Sequence, residues 1–266
     1  MWANAANQRN VARLVGDGVI VLEPGVGDQA CGETGGGRMQ EPEDIIAAVM
    51  AWTQPKILAG KRVLVTAGPT FEAIDPVRGI TNTSSGKMGF ALAKAAADAG
   101  AEVTLVAGPT SLSTPASVER IDVVSAADMA SAVQQRVAAC DIFVAVAAVA
   151  DYTPAKASPT KIKKDGVPLT IELEPTVDIL AAVAARPDAP YCVGFAAESH
   201  DVERHADEKR RRKKVPLMVA NRAQDAFGSD DNEVTLFDDT GAQPLPKMDK
   251  LTLARRLIAE IGKRIA

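Results

Sequence analysis

From Lys61 onward, short apolar runs alternate with longer amphipathic stretches. Runs rich in Val, Ile, Leu and Ala at 62–67, 102–107, 120–124, 141–147, 191–196 and 217–220 have the length and β-branched character of buried strands. The 3.6-residue pattern predicts helices at 88–99, 126–138, 177–185, 202–213 and 249–265. Gly100 follows the first of these helices, where a left-handed residue ends a helix. Strand and helix alternate, so the fold class is α/β: a Rossmann-like, doubly wound, mostly parallel sheet. Two stretches break the rhythm. At 169–173, Leu169, Ile171 and Leu173 alternate with Thr170 and Glu172 after a Gly166 turn. That predicts a hairpin over 161–174, an arm reaching a second subunit. A second hairpin is expected at 232–238 with the Gly241 turn.

Before Lys61 the pattern is weak. One short strand is expected at 18–22 and one helix at 43–52, with six glycines between Gly25 and Gly37. About fifty residues with so little to bury are marginal alone. Residues 1–52 therefore read as the tail of a larger domain, 53–60 as a linker and 61–266 as the main domain.

Composition narrows the function classes. A net charge of −4 over 266 residues provides no basic field for nucleic acid. No run of about 18 apolar residues predicts a membrane span, and the first residues lack a signal-peptide pattern. Three scattered cysteines, Cys31, Cys140 and Cys192, lack metal or disulfide spacing and fit a reducing cytoplasm. Cys140 and Cys192 read as apolar strand residues. Cys31, in a glycine-rich loop, reads as an exposed thiol. His200 and His205 read as surface residues.

The candidate chemistry gathers after predicted strand ends. About twenty residues separate the first strand from its helix, far more than such a connection needs. Gly68, Asn82, Ser84, Ser85 and Gly86 lie there, and small hydroxyl residues before a helix offer N–H groups to a phosphate. Thr81 stands where a Walker A loop needs glycine, and no G-x-G-x-x-G follows the strand, so the loop is of another kind. Asp151 follows the fourth strand, as a ribose, base or metal ligand or as a turn residue. Lys161 is a candidate for neutralising phosphate charge. Phe195, at the end of the fifth strand, is a core residue or a base-stacking one. Lys209 and Lys213, four apart on one helix face, hold a triphosphate or face solvent.

Four ordered motifs, DPVRGITNTSSGKMG from Asp75, AAVADY from Ala147, KIKK from Lys161 and VGFAAES from Val193, carry a family resemblance. Together they resemble phosphopantothenate–cysteine ligase, the ligase half of the bifunctional bacterial protein of coenzyme A biosynthesis. The resemblance runs from about Lys61 to the C-terminus. It implies that phosphopantothenate, activated by CTP with Mg²⁺ as an acyl-cytidylate, is joined to cysteine. It implies that Asn82 contacts the intermediate and that Lys161 supports its formation. Ala145, Val146, Ala147, Asp151, Val177, Asp178, Ile179, Leu180, Phe195, Lys209 and Lys213 would bind the nucleotide, and Gly68, Ser84, Ser85 and Gly86 the phosphates. It also implies a cytoplasmic homodimer through the 161–174 hairpin, and a higher homo-oligomer for the full-length parent.

Residues 1–52 resemble the end of the fused flavin-dependent decarboxylase, with Cys31 as its proton donor in the intact parent. The FMN-binding part of that domain would lie upstream of Met1, so this chain alone is expected neither to bind FMN nor to decarboxylate. The rival readings are a nicotinamide-dependent Rossmann oxidoreductase and a non-catalytic nucleotide-binding module. Against the first stand the missing glycine fingerprint and Ala107-Gly108, where an acid would follow the second strand.

Overall fold

The structure is a computed structural model that describes residues 1–265 except 29–31, 33, 165, 199–200 and 223–228. It divides into two compact units, Met1–Pro55 and Lys56–Ala266.

The first unit holds helix α1 (Ala5–Gly16), strands β1 (Gly25–Asp28) and β2 (Thr34–Arg38) and helix α2 (Pro42–Thr53). The expected strand at 18–22 does not form. Instead Gly18, at φ +87°, turns the chain out of α1, and Val19 N–H bonds back to Leu14 C=O at 2.9 Å. This is a helix ending of the left-handed glycine type, and the apolar run after it has no ladder partner. Helix α1 itself was not apparent in the pattern, because its polar residues carry no apolar stripe long enough to read. The glycine-rich stretch forms the antiparallel pair β1–β2. Neither helix buries a residue.

The second unit is built on β3 (Arg62–Ala67), β6 (Glu102–Ala107), β7 (Val118–Asp122), β8 (Ile142–Ala145), β11 (Tyr191–Glu198) and β12 (Leu217–Arg222), all parallel. The antiparallel hairpin β13 (Asp231–Asp238) and β14 (Gly241–Asp249) extends one edge. Among the described residues the sheet has eight strands, in the order β14-β13-β12-β11-β8-β3-β6-β7. Taken in chain sequence, its parallel strands lie 3-2-1-4-5-6, the doubly wound order. The expected α/β fold class is borne out.

Both faces are covered, as a parallel sheet requires. Val63, Val65 and Ala67 of β3 face one core with α3 (Lys87–Asp98) and α7 (Lys250–Ile265). Leu64 faces the other core, with α4 (Ala126–Gln134), α5 (Ile179–Ala184) and α6 (Val202–Lys213). Leu58, expected in a linker, is completely buried in the first core, and its N–H bonds to Ala99 C=O at 2.9 Å.

Several boundaries differ from the sequence expectation. The third parallel strand starts two residues early, at Val118. Helix α4 is fixed at its start by a reciprocal Ser125–Asp128 capping box and stops at Gln134, with a separate 3₁₀ turn at Val137–Ala139. Helix α5 begins at Ile179 because Asp178 is its cap, accepting from Ala181 N–H at 3.0 Å.

The hairpin expected over 161–174 is absent from the described residues. Strand β10 (Leu173–Pro175) pairs instead with β9 (Tyr152–Pro154), closing a long loop at its base. Leu169, Ile171 and Leu173 are exposed, as is Val167. Alternation predicted a half-buried strand, but among the described residues nothing covers Leu169, Ile171 and Leu173.

Candidate functional site

The doubly wound order places a crevice where the chain switches faces, between the carboxyl ends of β3 and β8. Thr66, near the end of β3, is buried, and its Oγ1 accepts from Val146 N–H at 3.2 Å and Ala147 N–H at 3.3 Å. Two residues on, Gly68 C=O accepts from Ala148 N–H at 2.9 Å. Thr70 Oγ1 accepts from Ala150 N–H at 3.0 Å. These bonds run the two strand-end loops side by side, so residues 80 apart in sequence (Gly68 and Ala148) line one wall.

The long loop after β3 is not irregular throughout. It folds into a small hairpin, β4 (Phe71–Ala73) with β5 (Gly79–Thr81). Asp75 holds its turn, accepting from Arg78 Nε at 3.0 Å and from the N–H groups of Val77 and Arg78, each at 2.8 Å. The Arg78 guanidinium, first, and these N–H groups outweigh burial and keep the Asp75 carboxyl far below the usual carboxylate range. Asp75 also accepts from Ile162 N–H at 3.1 Å, and Arg78 donates to Ile162 C=O at 2.7 Å. One carboxylate thus ties the loop to the residue beside Lys161.

Beyond the hairpin, Thr81 Oγ1 donates to Thr70 C=O at 2.7 Å and Asn82 Nδ2 donates to Ala148 C=O at 2.8 Å. That bond uses one of the two Nδ2 protons and fixes which end of the Asn82 amide is the donor. Gly86, at φ +78°, caps α3 without a side-chain bond to the first turn, which leaves the helix N–H groups to the crevice. A Cβ on Gly86 would meet Gly68 Cα at 3.3 Å, and one on Gly89 would meet Ala67 Cβ at 2.5 Å. The glycines let α3 start hard against the end of β3.

On the opposite face, Lys213 Nζ donates to the Asp178 carboxylate at 2.7–2.8 Å. Burial opposes ionisation of Asp178, but the Lys213 bond, the Ala181 N–H and the charges of Lys213 and Lys209 prevail and lower its pKa. Thr176 Oγ1 donates to Ala150 C=O at 2.5 Å and its N–H donates to Asp151 C=O at 2.9 Å, fixing the loop that carries Asp151. Gly194 lets β11 pass under α5; a Cβ there would meet Leu180 Cδ2 at 2.6 Å.

A cavity of about 410 Å³ results. Gly68, Asn82, Ser84, Ser85 and Gly86 line it, together with Ala145, Val146, Ala147 and Asp151. So do Val177, Asp178, Ile179, Leu180, Phe195, Lys209 and Lys213. Lys161 is exposed and is not part of this lining. Cys31 and His200 lie outside the described residues. His205 is half-buried on α6 and Cys192 is buried, both outside the lining. Lys87, Thr176, Asn221, Asn232 and Lys250 also line the cavity and were not singled out as site residues. Asn221 had a signal, a polar residue where the apolar run of the sixth parallel strand ends. Lys250 and Asn232 had none, since their approach depends on how the terminal hairpin and helix fold back.

Residues 58–265 match the family described as the DNA/pantothenate metabolism flavoprotein C-terminal domain. The chain belongs to this family. It is 51% identical over 271 residues to the coenzyme A biosynthesis bifunctional protein CoaBC of Vibrio cholerae, covering all of this chain and 68% of that protein. It is 46% identical over 272 residues to the Escherichia coli K12 protein of the same name, covering 99% of this chain and 67% of that protein. The crystal structure of the C-terminal domain of a coenzyme A biosynthesis bifunctional protein CoaBC superimposes with a TM-score of 0.69 at 42% identity. That match covers 79% of this chain and 98% of the other. The resemblance read from the four motifs is thus borne out at the level of family.

Within this family fold, the cavity supplies hydrogen-bond donors and cations in excess of acids. Among the described residues no group of three or more His, Cys, Asp and Glu is placed to hold a metal ion. Of the two carboxylates lining the cavity, Asp178 is already bonded to Lys213. Among the described residues no helix is long and apolar enough to cross a membrane.

Proposed function

We propose that this chain acts in coenzyme A biosynthesis as a phosphopantothenate–cysteine ligase that uses CTP. The observation that carries the reading is the single crevice joining Asn82, the open N-terminus of α3 and the Asp178–Lys213 pair at the switch point of the sheet. Such a crevice is built for a nucleotide, with phosphate at a helix N-terminus and a nucleoside against an apolar wall. The choice of CTP and of an acyl-cytidylate rests on the motif resemblance.

In the first step a carboxylate oxygen of phosphopantothenate bonds to the α-phosphorus of CTP. The bond from that phosphorus to the bridging oxygen breaks, and pyrophosphate leaves with the electron pair. The N–H groups of Ser85 and Lys87 and the hydroxyl proton of Ser84, whose Oγ accepts from Gly86 N–H at 3.3 Å, are suited to the developing phosphoryl charge. Asn82, held by Ala148 through one proton of Nδ2, offers the second N–H of that amide to the oxygens of the acyl-cytidylate. In the second step the cysteine amine attacks the acyl carbon, CMP departs and the amine loses a proton. Ile179 and Leu180 form the apolar wall for the nucleoside, Phe195 lines the crevice from the α3–α7 side of the sheet, and Lys209 and Lys213 supply positive charge beside α5. Mg²⁺ brought with the triphosphate would neutralise part of its charge.

Lys161 acts from the loop between β9 and β10, which Asp75 and Arg78 pin at the neighbouring Ile162. The exposed Val167, Leu169, Ile171 and Leu173 of that loop cover a second copy of the chain, making a homodimer. The enzyme works in the cytoplasm. Flavin-dependent decarboxylation belongs, on this reading, to the preceding domain of a longer protein.

The deciding assay is pyrophosphate release from CTP. Release is expected only with phosphopantothenate present, and CMP release only after cysteine is added. Pyrophosphate release that ignores phosphopantothenate sinks the proposal.

A further inference from the structure

We propose that the cavity has a second, basic end, formed by Lys87, Lys250, Asn221 and Asn232, which takes the β- and γ-phosphates and retains pyrophosphate as it leaves. The inference rests on the ligase reading above and assigns residues to its leaving group.

The two ends lie on opposite faces of the sheet. Helices α5 and α6, with Asp178, Lys209 and Lys213, pack on one face. Helices α3 and α7 pack on the other, and Lys87 and Lys250 are their first residues. A nucleotide lying across the strand ends, with its nucleoside against Ile179 and Leu180 of α5 and its α-phosphate at Ser84–Gly86, points its remaining phosphates toward Lys87. Carboxylates stand there too, but at the rim. Lys87 Nζ is 2.6 Å from Asp230, whose side chain is 85% exposed. An exposed pair of this kind is weak and exchanges readily for a phosphate.

Lys250 is the more telling residue. It is 8% exposed, lines the cavity and donates to Ser229 C=O, while its own N–H bonds to Asp230 C=O at 3.0 Å. Burial first, and then the charge of Lys87, lower its pKa against the pull of Asp230 and Asp231. Anchoring Ser229 does not require a second ammonium close by. Two cations held near each other at a cavity wall, one of them buried, beside the rim carboxylates Asp230 and Asp231, favour a further anion between them.

The asparagines complete the set. Asn232, buried, accepts on Oδ1 from Asn221 Nδ2 at 3.3 Å and from Glu233 N–H at 3.0 Å. Its Oδ1 is therefore spent and its Nδ2 is the donor end. Two ammonium groups and an amide donor match the oxygens of a diphosphate. They also suit the reaction. When the α-phosphorus bonds to the carboxylate oxygen, negative charge builds on the bridging oxygen and the β-phosphate, and cations at this end stabilise it.

The test uses the full chain and two inhibitors of the forward reaction, pyrophosphate and CMP. In Lys87→Gln and Lys250→Gln the inhibition constant for pyrophosphate is expected to rise about tenfold, the loss of one charge-assisted hydrogen bond. The constant for CMP should stay within about twofold, since CMP occupies the other end. An unchanged pyrophosphate constant in folded Lys87→Gln overturns the proposal, and so does an equal loss for both inhibitors. If Lys250→Gln does not fold, Lys87→Gln decides, because Lys87 stands at the rim. Should the wild type release no pyrophosphate from CTP, the ligase reading fails by itself. Calorimetric binding of pyrophosphate to wild type and Lys87→Gln then still tests the subsite: equal affinity refutes it and weaker affinity in the variant supports it.

Discussion

Asp178 does two jobs with one carboxylate. It caps α5 through Ala181 N–H and holds Lys213 at the cavity wall. Its pKa is lowered in the folded chain, so at pH values between the folded and unfolded pKa the unfolded state binds more protons. The stability it supplies is therefore complete above about pH 4, the ordinary aspartate range, and drains away as pH falls through the folded value. Asp178→Asn is expected to lower Tm at pH 7, by an amount that shrinks steadily below about pH 4. Thermal melts of both proteins from pH 3 to 7 check this; a deficit that grows toward acid refutes the role. Asn remains a good cap, so the pH-dependent part reports the loss of charge beside Lys213.

At the scale of elements, the site depends on how closely α3 approaches β3. Gly89 permits that approach, since a Cβ there would sit 2.5 Å from Ala67 Cβ and 3.3 Å from Thr66 C=O. Ala67 is buried and belongs to the central strand, so it cannot yield cheaply. Gly89→Ala is expected to destabilise the chain by about 1–3 kcal/mol despite the better helix propensity of alanine. The displaced helix would also carry Ser84–Gly86 away from Gly68. Denaturant melts and nucleotide affinity should fall together; a gain in stability would show that the helix start is looser than the packing indicates. The β4–β5 hairpin works the same way. Asp75 and Arg78 fix a short element whose purpose is to aim Asn82 and to anchor the loop that carries Lys161.

For the whole molecule, one of the exposed apolar stretches among the described residues is the loop between β9 and β10. Val167 is 67% exposed and Leu169 55% exposed, an expense a self-contained monomer avoids. The proposed dimer covers them. Leu169→Glu with Ile171→Glu should convert a dimer to a monomer in sedimentation equilibrium while leaving the far-UV spectrum unchanged. A wild type that sediments as a monomer at micromolar concentration, yet ligates at full rate, would remove the dimer from the proposal.

The α/β class and most strands and helices of the second unit followed from the sequence alone, because apolar period and run length are local properties. The four motifs were local too, and they were enough for the family. Much of the candidate site could be located from residues after strand ends, since a doubly wound sheet puts such residues in one crevice. Other features were decided only by contacts distant in sequence. Thr66 binding Val146, Asp75 holding Ile162, and Lys250 arriving beside Lys87 join segments about 80 to 160 residues apart. No local pattern encodes those partners. For the same reason the alternating run at 169–173 was misread: alternation states that one face seeks cover, while only the tertiary structure decides whether this chain provides it.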